Sequence, residues 1–96
     1  MTADREPTEA DFARPLKASQ RRRFMRGEID AGEDVVALRK FVGLSQKAFA
    51  EGLGISVHTL RNWEQGRRQP EGPAIALLRI AARHPYIIRE NATSAG

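Results

Sequence analysis

Ser45, Gly54 and Ser56 constrain the fold of this chain more than any other residues. Each serine precedes a short run with apolar residues at helical spacing, and the glycine stands just before the second serine. A serine hydroxyl at an N-cap accepts from a backbone N–H one turn on. Glycine ends a helix readily because it tolerates the left-handed conformation. The stretch from Ser45 to Glu64 therefore predicts a helix, a tight turn and a second helix. Phe49, Leu53, Ile55, Leu60 and Trp63 supply its apolar side, and Ala50 is small enough for the two helices to cross steeply. Trp63 is expected in the core rather than as a stacking platform.

The rest of the sequence narrows the class. Ninety-six residues suit one small domain. There is no cysteine, so neither a disulfide framework nor a thiolate metal site is expected. No apolar run is long enough for a membrane span. The polar N-terminus argues against a signal peptide, and a cytoplasmic protein is the simplest expectation. The chain has no carboxylate–histidine set, metal-ligand cluster or glycine-rich phosphate loop, so the expectation is a non-enzyme without a cofactor. The net charge is +4. Residues 1–33 carry seven acidic and seven basic side chains, whereas residues 34–96 carry nine basic and five acidic, so the whole excess lies in the half with the two capped helices. A polyanion such as DNA is a natural partner for that half. A solvated basic surface is the plainer alternative.

Taken in order, residues 1–33 read as an N-terminal arm, flexible or marginally helical. Pro15 suits a first helical position, and Phe12, Leu16, Gln20 and Phe24 make a narrow stripe beside Arg21-Arg22-Arg23. Such a helix is marginal alone; it either waits for a partner groove or frays. Glu28 to Glu33 reads as an acidic linker. Asp34 is a good N-cap for a helix carrying Val35, Leu38, Phe41 and Val42, which Gly43 ends. After the motif, Gly66 to Pro70 forms a basic loop, and Pro73 opens a further helix that His84-Pro85 closes. Tyr86-Ile87-Ile88 either lies back on the core or forms a dimer contact. Residues 34–88 are the expected domain and residues 89–96 a flexible tail.

Two short helices joined in this way resemble a helix-turn-helix, whose second helix enters the DNA major groove. Gln46 and Lys47 sit where the first helix offers free N–H groups, and Arg67 and Arg68 follow the second; these four are the expected phosphate contacts. Val57, His58, Thr59, Arg61 and Asn62, near the start of the second helix, are the expected base readers: Val57 against a thymine methyl, Arg61 on guanine or a phosphate, Asn62 on adenine. For each alone, a polar surface role is the alternative. Glu64 is an acid on a DNA-facing helix, which is accounted for if it pairs with Arg39 on the helix before the motif.

Leu44-Ser45-Gln46, Phe49-Ala50, Ile55-Ser56, Trp63-Glu64, Gly66 and Pro70 together resemble the Xre family of phage-repressor-like regulators over roughly residues 34–84. The resemblance implies an all-α, lambda-repressor-like domain of four to five helices. It also implies a phosphate contact at Gln46, base reading at Val57, His58, Thr59 and Asn62, and an Arg39–Glu64 pair. Leu60 to Ala74, with Leu77-Leu78-Arg79 and His84-Pro85, is similar to the HigA-type antitoxins. That narrower likeness implies a homodimeric repressor of its own operon that also neutralises a RelE/HigB-like messenger-RNA-cleaving toxin. It places toxin contacts on the arm, at Phe12, Leu16, Phe24 and Met25. The alternative is a stand-alone phage or metabolic regulator without a toxin.

Overall fold

The computed structural model describes residues 13–95. They form six helices: α1 (Ala18–Met25), α2 (Gly32–Val42), α3 (Gln46–Leu53), α4 (Val57–Glu64), α5 (Pro73–Arg83) and α6 (Pro85–Ala95). Phe24, Val35, Leu38, Val42, Phe49, Leu60 and Leu78 make the centre of one core to which α1 to α5 all contribute. Ile88 of α6 joins the same cluster.

Helix α1 lies within the stretch expected to be marginally helical, with a later start. Pro15 does not open it; the helix begins at Ala18, after an extended lead-in whose Arg14 N–H donates to Lys40 O at 2.8 Å. Its N-cap, Lys17, makes no side-chain bond to the helix, and eight residues are too few for stability alone. Packing against α5 holds it. Phe24 is fully buried, and burying a side chain of that size stabilises by about 1.5–3 kcal/mol. Ile29, in the expected linker, is also buried. The boundary expected at residue 33 therefore does not separate a loose arm from a packed body within the described residues. Phe24 cannot meet a toxin unless α1 leaves the core, which corrects its expected role. Phe12 lies outside the described residues.

Helix α2 starts three residues earlier than expected, with Ala31 at the N-cap. Alanine has no side chain to cap with, and Asp34, one turn in, supplies the missing acceptor. Its Oδ2 receives the N–H groups of Asp30 at 3.0 Å and Ala31 at 3.3 Å, and Arg23 Nη2 at 3.1 Å. A buried carboxylate is tolerable when its lone pairs are taken in this way. Asp34 thus ties α1, the linker and α2 together rather than acting as an N-cap.

At the other end, residues 89–95, expected as a flexible tail, continue α6 as helix. This helix lies across α3, and Gly52 makes the close approach possible: a Cβ there would stand 2.7 Å from Ile88 O. Asn91 Nδ2 donates to Gly52 O at 2.7 Å, and Arg89 Nη1 to Val42 O at 2.9 Å. Ile88 is buried while Tyr86 and Ile87 are exposed, so the Tyr86-Ile87-Ile88 segment meets the core with one residue of three.

Candidate nucleic-acid interface

The turn between α3 and α4 forms from its own residues. Ser45 Oγ accepts from Ala48 N at 3.1 Å, and Ser56 Oγ accepts from Thr59 N at 3.0 Å. Gly54 sits at φ 76°, and Ile55 N closes the turn on Ala50 O at 3.0 Å. A left-handed residue there costs a β-carbon-free glycine little. Phe49, Ala50 and Leu53 of α3 and Leu60 and Trp63 of α4 are buried, which fixes the rotation of α4 about its axis.

That rotation decides what α4 presents. His58 and Arg61 are exposed, and Val57, Thr59 and Asn62 are half-buried at the edge of the same surface. His58 and Arg61 thus stand on the flank away from Leu60 and Trp63, Thr59 and Asn62 border it, and Val57 packs in part against the core. Thr59 is partly engaged, since Ser56 Oγ donates to its Oγ1 at 2.9 Å. Lys47 is exposed in the first turn of α3, and Arg67 and Arg68 are exposed in the bend after α4. The backbone N–H groups of Arg67 and Arg68 donate to Asn62 O at 2.9 and 3.3 Å, which pins the bend to the end of α4 and leaves both guanidinium groups in solvent.

Behind this surface runs a chain of four side chains. Arg39 Nε donates to Glu64 Oε2 at 2.7 Å, and Arg39 Nη1 donates to Leu44 O at 3.0 Å. Gln46 Nε2 donates to Glu64 Oε1 at 2.9 Å, and Arg61 Nε donates to Gln46 Oε1 at 3.2 Å. The Glu64 side chain is 6% exposed and that of Arg39 16%. An acid so placed is satisfied by two donors and offers little repulsion to an approaching phosphate. Gln46, expected as a phosphate contact, therefore braces α3 against α4 with both ends of its amide and has one N–H left over.

The sequence reading missed two ties that set the frame of this surface. Gln69 Nε2 donates to Asp30 O at 3.3 Å, fastening the basic bend to the linker before α2. Gly32, at the start of α2, lies against the end of α4: a Cβ there would stand 2.4 Å from Glu64 O and 2.8 Å from Trp63 O. Neither is visible locally, because both link segments more than thirty residues apart. Among the described residues, no group of three or more His, Asp or Glu side chains could hold a metal ion.

Comparison with known proteins points the same way. The chain is 43% identical over 60 residues to antitoxin HigA-2 of Vibrio cholerae, covering 62% of this chain and 58% of that protein. It is 35% identical over 69 residues to antitoxin MqsA of Escherichia coli, covering 72% of this chain and 53% of MqsA. It is 32% identical over 57 residues to the uncharacterised HTH-type transcriptional regulator YiaG of Escherichia coli, covering 59% of each chain. The chain thus spans between half and three-fifths of the length of these relatives. The model of the MqsA family, described as the antitoxin component of a bacterial toxin–antitoxin system, matches residues 4–91. The helix-turn-helix and the antitoxin likeness read from the residues meet in that match, and the chain belongs to the MqsA antitoxin family.

Proposed function

We propose that this chain is a DNA-binding antitoxin that represses its own operon and neutralises a RelE/HigB-like ribonuclease in the bacterial cytoplasm. The observation that carries the DNA half is the exposed polar flank of α4, braced from behind by Arg39, Glu64 and Gln46. In this reading Val57, His58, Thr59, Arg61 and Asn62 read base edges, while Lys47, Arg67, Arg68 and the spare N–H of Gln46 hold phosphates. No helix among the described residues is long and apolar enough to cross a membrane.

A homodimer is part of the proposal. One short helix reads too few base pairs for a useful specificity ratio, and paired half-sites supply the rest. The surface offered for pairing is the exposed apolar face of α5 and α6, where Ile80 and Ile87 stand open beside Leu77, with Tyr86 exposed at the start of α6. The likeness to YiaG supports a second reading, a regulator with no toxin.

Titration of the DNA upstream of the gene tests the first half. Arg67→Ala should weaken binding to every duplex and flatten the salt dependence, whereas Asn62→Ala should relax preference at one base pair. Equal loss on all sequences for Asn62→Ala would remove its base-reading role. Co-purification with the product of the neighbouring reading frame separates the antitoxin from the free-standing regulator.

A further inference from the structure

Helix α1 carries three arginines and a fourth, Arg26, caps its end; the fold uses three of the four. Arg21 reaches the last carbonyls of α5, Arg23 reaches Asp34, and Arg26 pairs with Glu28. Arg22 is exposed and its guanidinium has no hydrogen-bond or ion-pair partner among the described residues. The ammonium of Lys17, just before the helix, is likewise exposed and unpaired.

Arg22 stands at a groove of about 400 Å³ lined by Pro15, Leu16, Met25 and Phe41. Leu16, Met25 and Phe41 are only partly buried, so their apolar surface is offered to whatever enters. Phe41 is further masked on one side by the Arg21 guanidinium, 5.1 Å from its ring centroid. No residue of α3 or α4 lines this groove, which is therefore distinct from the α4 flank. Of the four side chains expected to meet a toxin, Phe24 is sealed in the core and Phe12 lies outside the described residues. The remaining two, Leu16 and Met25, converge here.

Resting on the antitoxin reading, we infer that this groove is the surface that receives the toxin, through a partner segment presenting an apolar side chain flanked by carboxylates. The free Arg22 guanidinium at an apolar slot, with Lys17 adjacent in sequence to its Leu16 lining, selects that combination. A phosphate backbone would use the cations and leave the apolar lining uncovered. A second copy of the chain has the larger exposed apolar face of α5 and α6 to pair through.

The test uses the full chain, the protein encoded by the neighbouring reading frame, and upstream DNA, with each affinity and the oligomeric state measured on the same preparations. Arg22→Glu, at an exposed position with no structural bond, should weaken toxin binding about tenfold or more and leave DNA affinity within about twofold. Arg22→Lys should recover most of the loss. Toxin affinity unchanged in Arg22→Glu overturns the groove, and does so most plainly if the DNA salt dependence or the dimer changes instead, or if deleting residues 1–12 alone abolishes binding. If the wild-type chain binds DNA but not the neighbouring protein, the antitoxin reading fails and the groove falls with it.

Discussion

Arg21 and Arg83 cap each other's helices. Arg21, on α1, donates from Nε to Ala82 O at 3.0 Å and from Nη2 to Arg83 O at 3.4 Å, at the end of α5. Arg83, at that same end, donates from Nε and Nη2 to Met25 O, the last residue of α1, at 3.3 and 3.1 Å. Two like charges are brought near each other because each neutralises the negative end of the other's helix. Removing either should loosen α1. Arg21→Ala and Arg83→Ala should each cost about 1 kcal/mol in chemical denaturation, given that both bonds are partly open to solvent. The double variant should cost less than the sum, because the residues share one junction.

Gly32→Ala tests the contact between α2 and α4. The new methyl would meet backbone oxygens of Trp63 and Glu64, which have no rotamer to yield with. The helices must separate, at a cost of about 1–3 kcal/mol. DNA affinity should fall beyond what the stability loss explains, because α4 and the bend pinned to it move away from α2 and its Arg39 brace; a fluorescence anisotropy titration at a temperature where the variant is fully folded checks this.

Glu64→Ala should be the most damaging single change at the interface. It leaves Arg39, mostly buried, without its carboxylate, a loss of about 3 kcal/mol. Replacing both partners with apolar residues, as in Arg39→Met with Glu64→Leu, should recover much of that stability. It should not recover DNA affinity, because Gln46 and through it Arg61 lose their anchor. Parallel denaturation and binding curves on the three proteins distinguish the two roles of the pair.

Gly52→Ala should lift α6 from α3. Its Cβ would press on Ile88 O and on the Ile88 Cγ2, and the Asn91–Gly52 bond would stretch. The cost is again about 1–3 kcal/mol. Hydrogen exchange should show amides of α6 losing protection first, with those of α2 and α4 less affected.

What could be read from the sequence was what the chain encodes locally. Ser45, Gly54 and Ser56 act on neighbours within one turn, so the α3–α4 unit was legible, as was the helix that starts at Pro73. The pairing of Arg39 with Glu64 was reached through the chemical oddity of an acid on a DNA-facing helix. The packing that holds helix α1 is not legible locally, because its partners, Ala82, Arg83 and the core around Phe24, lie far along the chain. Asp34 looked like a cap because aspartate favours that position, yet from one turn inside it reaches back to Asp30 and Ala31. The end of the chain looked loose because nothing nearby shows that Gly52 leaves room for Ile88. Arg22 could not be told from Arg21 and Arg23 in sequence; only their different partners separate them.

The bond from Arg61 to Gln46 carries a thermodynamic consequence. A guanidinium already tethered before a duplex arrives has fewer rotamers left to give up, and each immobilised long side chain otherwise costs about 0.5–1.5 kcal/mol. In the proposed DNA complex the α4 flank is thus pre-ordered at Arg61, so binding to upstream DNA should carry little of the heat-capacity signature of coupled folding.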